Sequence, residues 1–482
     1  MLDMKSFAEY SKDYEMTVGL EVHVELKTKT KVFCACPTDF GAEPNTQCCP
    51  ICMGAPGVLP ALNARAVEYA IKAGLALGCE ISDRCRFDRK NYFYPDLPKA
   101  YQITQLDFPL CRNGHLEVET KGDKKHIRIE RIHLEEDAGK LIHSKERGTM
   151  IDHNRCGVPL IEIVSKPDIS SPEEAKEYLR ALRLRMLYAG ISDCKMNEGS
   201  LRCDVNISVK PIGDTNLGKR CEVKNINSFA FAGSAIEYEF RRQCEILEAG
   251  GTVKQETRRF DEKAETTVSM RSKESSADYK YLPEPDIIWL KITPEDIEKA
   301  ARELPKMPSE RKAEYISRYS LEEKDADILT SDRALADLFE AAAALTSHVK
   351  PLANLLISEL PRLYVSDTLA PISPKNLAKL VSLYGERRIN SSTEKKLFLR
   401  ILEQDENPEE IVEREGLAQI TDTATLTKYL EAVIEANPKS VADYKAGKDF
   451  ALKFIIGKAM AASFGKADPE LLQTLAKEML AK

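Results

Sequence analysis

Hydrophobic and polar residues alternate along several short segments in the first 290 residues of the chain. The segment GLEVHVELK places its apolar side chains on one side of an extended backbone and its polar side chains on the other. The polar side carries Glu21, His23, Glu25 and Lys27. The pattern predicts a half-buried strand. Its polar face is either solvated or, because a histidine stands between carboxylates, a cation site.

Three further segments, SLRCDVNISVK, RCEVKN and RIHLEEDAGK, repeat this alternation. Their polar positions are Arg202, Asp204, Asn206 and Ser208; Arg220, Glu222 and Lys224; and His133 and Glu135, followed by Glu136 and Asp137. One such strand is typical of a solvated sheet edge. Four strands that each mix carboxylates with Arg, Lys or His instead indicate the polar floor of a concave sheet. A binding site and a solvated surface both remain consistent with the pattern.

The periodicity changes from strands to helices after the Pro-rich stretch 304–308. In SDRALADLFEAAAAL, Leu335, Leu338, Phe339 and Ala342 follow the i, i+3, i+4, i+7 spacing of an amphipathic helix, with Ser331 placed to cap it. An acidic segment at 403–411 marks a second, weaker boundary.

We therefore predict an α+β protein. A large mixed domain, residues 1–300, is built as a cradle on an antiparallel sheet. Two all-helical modules follow, at residues 301–408 and 409–482. The sequence contains no internal repeat and no low-complexity tract.

Size and composition set broad limits on function. The 482 residues are 43% hydrophobic and 30% charged, which is typical of a globular protein with more than one domain. The N-terminal segment is charged and lacks the apolar core of a signal peptide, and no long apolar run predicts a membrane span. These features predict a cytoplasmic protein with no membrane contact. The balance of 70 basic against 77 acidic residues neither indicates nor excludes a local RNA-binding surface.

Five thiols lie between residues 34 and 52, whereas the other cysteines are scattered among apolar neighbours. Cys34-x-Cys36 and Cys49-x-x-Cys52 form two close pairs separated by a turn-rich loop, a spacing typical of a tetrahedral zinc site. Such a four-thiolate site is closed, so its zinc would be structural. Cys48 is interpreted as a bystander. A reducing cytosol disfavours disulfides. The alternative to a zinc site is therefore a group of buried or redox-active thiols.

Carboxylates among cations suit magnesium together with a polyphosphate, because oxygen ligands hold the ion while Lys and Arg neutralise phosphate. The sequence has no P-loop, no kinase motif set and no G-x-G-x-x-G, so any ATP site is not a standard one. It also lacks G-x-S-x-G and any convincing Cys–His nucleophile. The residues therefore indicate phosphate and metal chemistry without a hydrolytic nucleophile.

Eight motifs, in order along residues 18–286, carry a resemblance to a known family. They are VGLEVHVEL, KNYFYPDLPKAYQITQ, HLEEDAGK, NRCGVPLIEIVSKPD, GSLRCDVN, CEVKNINSF, QETRRFD and SMRSKESSADYKYLPEPD. Together they closely resemble the B subunit of the tRNA-dependent amidotransferase, the GatB family. The resemblance covers the whole chain and is looser after residue 290.

The resemblance implies a two-part reaction on tRNA mischarged with glutamate or aspartate. ATP and magnesium serve to phosphorylate the side-chain carboxylate, and ammonia then displaces the phosphate to give Gln-tRNA or Asn-tRNA. It also implies a heterotrimer. In it the amidase, known as the A subunit, supplies ammonia from glutamine through an internal channel, and the small C subunit joins the other two.

The family's site residues are carried over by motif. The resemblance implies catalytic and magnesium-binding roles for Glu21, His23, Glu135, Glu136, Asp204 and Glu222. It implies ATP contacts for Lys90, Tyr92 and Arg202, and structural zinc at Cys34, Cys36, Cys49 and Cys52.

The C-terminal segment resembles the family's tRNA-binding module with one departure. It keeps Phe454, Gly457, Met460, Gly465, Lys466 and Pro469, but AAS at 461–463 replaces a stretch that is usually basic. Lys453, Lys458 and Lys466 remain as expected phosphate contacts, or alternatively as solvated lysines on a helical face.

Two other functions remain compatible with the residues alone. An ATP-dependent ligase acting on a small carboxylic acid would need the same carboxylate and cation set. A zinc-clasped RNA-binding protein without catalysis would leave the carboxylates merely solvated. Stimulation of ATP hydrolysis by charged tRNA, by a small acid or by neither distinguishes the three.

Overall fold

The computed structural model describes residues 5–272, 276–365 and 368–481. Contacts divide the chain into two compact units, with the division between Met307 and Pro308. The first unit is mixed and the second is predominantly helical, so the predicted α+β class is confirmed.

A nine-stranded sheet dominates the first unit. Its strands are β1 (Tyr14–Glu25), β2 (Glu80–Ile81), β3 (Cys111–Thr120), β4 (Asp123–Glu136), β5 (Pro159–Ser165), β6 (Leu201–Pro211), β7 (Cys221–Ile226), β8 (Glu256–Asp261) and β9 (Thr266–Ser272). The order across the sheet is β9-β8-β7-β6-β1-β5-β4-β3-β2. Every neighbouring pair is antiparallel except β7 and β8. The central position of β1 places its polar face in the middle of the sheet.

Alternation along the strands separates a buried face from the polar face. Leu20, Val22 and Val24 of β1 are fully buried. Two helices, Pro172–Ala189 and Phe229–Glu248, pack against the sheet and against each other. Serine N-caps start both helices, and Gly190 ends the first at φ 70°, in the left-handed region that favours glycine. The apolar side of the sheet thus forms the core, and its polar side remains available.

Shorter elements complete the first unit. Its other helices are Phe7–Tyr10, Ala64–Ala76 and Pro294–Glu303, with 3₁₀ turns at Met196–Glu198 and Ser276–Tyr279. A three-stranded sheet is formed by Leu282–Pro283, Asp88–Asn91 and Tyr101–Thr104, in that order. Lys140–Ser144 pairs with Gly148–Asp152, and Arg84–Cys85 pairs with Leu290–Lys291.

The second unit contains two hydrophobic cores. The first core, built around Phe339 and Phe398, belongs to the helices Pro308–Tyr319, Glu323–Thr330, Arg333–Ala343, Val349–Ser358, Leu360–Leu363, Pro374–Gly385, Ser391–Gln404 and Pro408–Arg414. The strands Tyr364–Val365 and Thr368–Leu369 form a small hairpin within this part. The second core, built around Leu430 and Ile455, belongs to Thr423–Ala436, Pro438–Lys445, Asp449–Ala462 and Pro469–Ala481.

The amphipathic helix predicted near residue 335 is present at Arg333–Ala343, with Leu335, Leu338, Phe339 and Ala342 buried. The residue that caps it is Asp332 rather than Ser331, because the Asp332 carboxylate accepts a hydrogen bond from the backbone N–H of Leu335.

Candidate active site and cysteine cluster

Strand register places four polar residues in one row across the middle of the sheet. His133 on β4 lies opposite Glu162 on β5, and Glu162 lies opposite His23 on β1. His23 in turn lies opposite Arg202 on β6. Residues directly opposite one another on neighbouring strands project to the same face. The row therefore joins side chains that are separated by as many as 179 residues in sequence, from 23 to 202.

The first acidic group consists of His23, Glu135 and Glu162, whose ligand atoms all lie within 4.8 Å of one another. His23 Nε2 is 3.6 Å from a Glu135 oxygen and 3.5 Å from a Glu162 oxygen. His133 Nε2 is 3.6 Å and 3.3 Å from oxygens of the same two carboxylates. The two imidazoles thus share both carboxylates.

Burial and ion pairing oppose each other in this group. Burial favours neutral His133, but the charge of Glu162 and a hydrogen bond to Glu135 outweigh it, and the pKa of His133 rises to about 9. Burial also favours neutral Glu162, but the His133 charge outweighs it and holds the pKa of Glu162 well below its usual value. The pair therefore remains ionised at neutral pH.

The second acidic group consists of Glu21, Asp204 and Glu222, again with ligand atoms within 4.8 Å of one another. Lys224 Nζ is 2.6 Å from an Asp204 oxygen and 3.3 Å from a Glu222 oxygen. Burial raises the pKa of Glu21, and the neighbouring carboxylates of Glu162 and Asp204 raise it further. A cation bound here would relieve that repulsion.

Neighbouring polar groups orient these carboxylates. The Asn206 amide donates a hydrogen bond to Glu21 at 2.9 Å, and the Thr257 hydroxyl donates to Glu222 at 2.8 Å. The Thr104 hydroxyl donates to Glu135 at 3.1 Å. These hydrogen bonds fix one oxygen of Glu21 and one of Glu222. The other oxygen of each carboxylate therefore has a fixed position on the polar face of the sheet, here called the floor.

Both acidic groups line one cleft of about 350 Å³. Cationic side chains surround them: Lys90, Arg131, Arg220 and Lys224. The rings of Tyr279 and Tyr281 also line the cleft. A cleft with an acidic floor and cationic walls can hold a metal ion and a polyphosphate together.

The three predicted ATP contacts do not all line the cleft. Lys90 lines the cleft, with its Nζ 4.8 Å from the centroid of the Tyr279 ring and 5.6 Å from that of Tyr92. Tyr92 packs edge-on against Tyr279, with ring centroids 6.0 Å apart. Arg202 stands at the end of the polar row, where its guanidinium is 2.5 Å from Asp137 and 3.9 Å from Glu25.

Glu136 is the one predicted floor residue that the structure places elsewhere. Successive residues of a strand point to opposite faces, so Glu136 projects away from Glu135. It pairs with Lys99 and accepts a hydrogen bond from the backbone N–H of Ile103 at 2.8 Å. It lines a separate small cavity together with Cys34 and Cys52.

Three floor residues are absent from the set predicted as ligands. Glu162 is the single charged residue in the apolar strand PLIEIVS, and that isolation is the signal that could have found it. His133 and Lys224 appear in the alternating segments, but the pattern does not identify their partners. Only the register of β4, β5 and β7 shows those partners.

The donor atoms at the floor are of the kinds that divalent metal ions bind. Three carboxylates, the second acidic group, fit a hard cation such as Mg²⁺, which takes oxygen ligands and retains several waters. The first acidic group adds an imidazole nitrogen to two carboxylates, a set that divalent cations other than calcium and magnesium also accept. The floor as a whole fits one or more divalent ions.

The four predicted cysteines come together. Their sulfurs all lie within 4.8 Å of one another, and a tetrahedral zinc with bonds of about 2.3 Å sets its sulfurs about 3.8 Å apart. The backbone N–H of Cys49 donates to the Cys52 sulfur at 3.2 Å. A hydrogen bond from Cys34 lowers the pKa of Cys52. The set fits zinc, and Cys48 lies outside it, beside Asn154.

The three predicted tRNA contacts lie in the C-terminal part of the second unit. Lys453 and Lys458 are exposed on the helix Asp449–Ala462, and Lys466 is half-buried after it. Lys458 Nζ lies 5.6 Å from the centroid of the Phe454 ring, which is also exposed. None of the helices in the described ranges has the length and apolar character needed to cross a membrane.

Comparison with known proteins places the whole chain in one family. The family model described as the GatB/GatE catalytic domain matches residues 16–298, and the model described as the GatB domain matches residues 337–480. The B subunit of the aspartyl/glutamyl-tRNA(Asn/Gln) amidotransferase of Caldicellulosiruptor saccharolyticus is 50% identical over 478 residues, 98% of this chain and 100% of the relative. The proteins of the same name from Caldanaerobacter subterraneus subsp. tengcongensis and Geobacillus kaustophilus are each 50% identical over 474 residues, 97% and 98% of this chain and 100% of each relative. The chain belongs to the GatB family.

Proposed function

We propose that the chain is the subunit of a tRNA-dependent amidotransferase that activates the substrate carboxylate. The substrates are Glu-tRNA(Gln), Asp-tRNA(Asn) or both, as the names of its relatives state for those proteins. The observation that carries the proposal is the pairing of two acidic groups on one floor, ringed by Lys90, Arg131, Arg220 and Lys224. Phosphoryl transfer needs charge neutralisation and positioning more than it needs a protein nucleophile.

The proposed reaction has two steps. An oxygen of the substrate's side-chain carboxylate attacks the γ-phosphorus of ATP, the bond to the bridging oxygen breaks, and ADP leaves. Ammonia then attacks the acyl carbon, the bond to the phosphate oxygen breaks, and inorganic phosphate leaves as the nitrogen loses a proton. The product is the side-chain amide of the same aminoacyl-tRNA.

The chain's own residues bind and orient the reactants in this scheme. Lys90, Arg131 and Arg220 face the triphosphate and offset its charge as it moves toward the leaving ADP. Tyr92 and Tyr279 hold the Lys90 ammonium through ring contacts. Arg202, paired with Asp137, is proposed to meet phosphate only from the end of the polar row.

Magnesium would be held by the second acidic group, Glu21, Asp204 and Glu222, and a second ion by the first acidic group, His23, Glu135 and Glu162. When bound, magnesium neutralises phosphate charge and aligns the γ-phosphate with its acceptor. His133 and Lys224 hold the acidic groups in place by pairing with Glu162 and Asp204. Glu136 takes no ligand role in this proposal, because it projects from the other face of β4.

We propose that partner proteins supply the ammonia. The sequence offers no hydrolytic nucleophile, and a heterotrimer with an amidase (the A subunit) and a small C subunit accounts for that division of labour. The reaction then takes place in the cytoplasm, where aminoacyl-tRNA is used in protein synthesis. Zinc at Cys34, Cys36, Cys49 and Cys52 would hold the 34–52 loop without entering the chemistry.

Lys453, Lys458 and Lys466 are proposed to contact the tRNA backbone. Exposed lysines beside exposed aromatic rings, such as Lys458 beside Phe454, suit both phosphate contact and base stacking. These contacts position the tRNA and do not select the amino acid attached to it.

The test is phosphoryl transfer in the purified complex carrying Glu21→Ala or Asp204→Ala. We expect both variants to lose ATP-dependent phosphorylation of Glu-tRNA and Asp-tRNA by about 100-fold or more, because each removes an oxygen ligand from the second acidic group. Binding of tRNA should be nearly unchanged. Asp107→Asn, an exposed aspartate outside the floor, is the matched control. Normal turnover in both variants refutes the assignment.

The same assay separates the alternative functions. The proposal requires that charged tRNA stimulate ADP formation by the wild-type complex and that free glutamate or aspartate does not. Stimulation by a free acid instead indicates a small-molecule ligase, and no stimulation by either indicates a binding protein.

A further inference from the structure

A lysine lies fully buried beside the cysteine cluster. Lys31 has 0% of its surface exposed, and its Nζ is 3.6 Å from the Cys52 sulfur and 3.5 Å from the carbonyl oxygen of His153. The backbone N–H of Lys31 donates to the carbonyl of Cys36 at 3.0 Å, which ties this residue to the same loop. Within the described ranges no carboxylate forms an ion pair with Lys31, and the carboxylates of Glu136 and Asp137 pair with Lys99 and Arg155 instead.

A buried ammonium needs an opposite charge nearby, because the free energy of removing an unpaired ion from water is far larger than one hydrogen bond returns. The carbonyl of His153 is neutral. Glu136 lines the same cavity as Lys31, but it pairs with Lys99. The Cys52 sulfur, 3.6 Å from the Lys31 Nζ, is therefore the atom through which a bound metal would place negative charge beside the ammonium.

Zinc held by four thiolates supplies that counter-charge. Four thiolates around Zn²⁺ carry a net charge of about −2, and the closed site offers no water to share it. The Lys31 ammonium reduces the charge of the buried assembly and directs a donor at the Cys52 sulfur. The backbone N–H of Cys49 directs a second donor at the same atom.

We infer that Lys31 is a positioning residue for the metal: its buried ammonium lies against the Cys52 sulfur and offsets the negative charge of a zinc ion held by four thiolates. The inference rests on the proposed zinc site and goes beyond it, because it assigns a role to a residue outside the four ligands. Partners of metal ligands commonly affect metal affinity by about 10- to 100-fold.

The test measures the affinity of the full-length protein for zinc. Wild-type zinc content is determined by atomic absorption, and the dissociation constant for Zn²⁺ is then obtained by competition with a chromophoric chelator. We expect Lys31→Met to weaken zinc binding by about 10- to 100-fold. Lys31→Gln, which keeps a hydrogen-bond donor but no charge, should weaken it nearly as much. If Lys31→Met does not fold, the zinc affinity of Lys31→Gln provides the test.

The matched control is Lys72→Met, which removes another buried ammonium. Lys72 pairs with Glu68 and Glu303, at 3.0 Å and 2.6 Å, and has no contact with the cysteines. This variant should lose stability and keep the zinc affinity of the wild type.

Each outcome bears on the inference. Wild-type affinity in both Lys31 variants overturns it and leaves the zinc proposal intact. Normal affinity in Lys31→Gln with weak binding in Lys31→Met shows that a hydrogen bond acts rather than a charge, which also overturns it. Wild-type protein without zinc overturns the zinc proposal and the inference together. Equal weakening in Lys72→Met would show a general effect of stability, again against a specific role for Lys31.

Discussion

The acidic floor and the cysteine cluster gather negative groups within the same 4.8 Å, yet they balance that charge differently. At the floor, protein cations stand directly against the carboxylates: His133 against Glu162, and Lys224 against Asp204. At the cysteine cluster, one ammonium, Lys31, lies against one of the four sulfurs, that of Cys52. Protein side chains therefore supply part of the counter-charge at the floor, and a bound cation would relieve the repulsion that remains at Glu21. If the cysteine cluster binds zinc as proposed, the loop would depend on that metal, as a structural site does.

The two regions also differ in how the chain assembles them. The cysteines come from a single segment of nineteen residues, whereas the floor draws on β1, β4, β5, β6 and β7. Substitutions that each remove a charged group or a metal ligand test this comparison. The rate of phosphoryl transfer is measured for each variant, so that their effects can be ranked.

Among these substitutions, Glu162→Gln is expected to have the largest effect on phosphoryl transfer. It removes the carboxylate that both His23 and His133 contact, and so leaves a buried imidazolium with one partner fewer. We expect transfer to Glu-tRNA or Asp-tRNA to fall about 10- to 100-fold, measured as ADP formed in a single turnover.

The control for this prediction is Glu117→Gln, which alters a half-exposed glutamate paired with Lys124 on β3 and β4. It should retain the wild-type rate. A wild-type rate in Glu162→Gln would remove the first acidic group from the account.

Cys52→Ser should have a smaller effect on transfer and a larger one on metal content. Loss of one of four ligands opens the closed site, so zinc should be absent by atomic absorption and hydrogen exchange in the 34–52 loop should accelerate. Transfer should fall by no more than about tenfold, because no step uses this metal. Cys48→Ser, which alters the neighbouring thiol, should keep its zinc. A Cys52→Ser protein with full zinc would contradict the four-thiolate site.

Removing Lys453 and Lys458 together, by substitution with alanine, should weaken tRNA binding and leave transfer at saturating tRNA unchanged. Each lysine–phosphate pair that is removed should reduce the salt dependence of binding by about one unit of logarithmic slope. Fluorescence titration at several salt concentrations measures this. Lys477→Ala, on the neighbouring helix Pro469–Ala481, is the control, and an unchanged slope in the double variant would show that these lysines are merely solvated.

Glu394 shows what burial does to a carboxylate without the floor's arrangement of cations. Burial raises its pKa to about 7, since the nearby Lys395 only partly offsets burial and Glu359 adds to it. Because the unfolded carboxyl has a pKa of 4.5, folding favours the protonated form. The group's penalty is absent at low pH, and stability declines as pH rises from about 4.5 to about 7.

Glu394→Gln should therefore leave phosphoryl transfer unchanged and stabilise the protein at pH 8 by on the order of 2–3 kcal/mol, with little effect at pH 4.5. Thermal unfolding at the two pH values measures the difference. Glu386→Gln, which alters an exposed glutamate, is the control. Equal stability of Glu394→Gln and wild type at pH 8 would mean that the carboxylate finds compensation in solution.

The sequence predicts each region to the extent that its contacts are local. The spacing of Cys34, Cys36, Cys49 and Cys52 alone predicts their grouping, because two short pairs and a turning loop fix the geometry. Alternation along β1 and β6 likewise predicts which face carries Glu21 and His23. The α+β class follows from the change of hydrophobic period near residue 304.

The sequence does not predict which residues lie opposite each other on neighbouring strands. Nothing in PLIEIVS shows that Glu162 lies opposite both His23 and His133, because register depends on how distant strands align. The HLEED motif implies a magnesium-binding role for both adjacent glutamates, Glu135 and Glu136. Because successive residues of a strand point to opposite faces, the structure places Glu136 on the other face of β4 from Glu135.

The central claim is that the floor serves to phosphorylate the substrate's own carboxylate, and the fate of one oxygen atom tests it most directly. Glutamate labelled with ¹⁸O in its side-chain carboxylate is attached to tRNA and converted by the purified complex with ATP and ammonia. The account predicts that each inorganic phosphate released carries one labelled oxygen, since the bond formed to phosphorus is the bond kept when the amide forms. Amidation at the normal rate with unlabelled phosphate would contradict it.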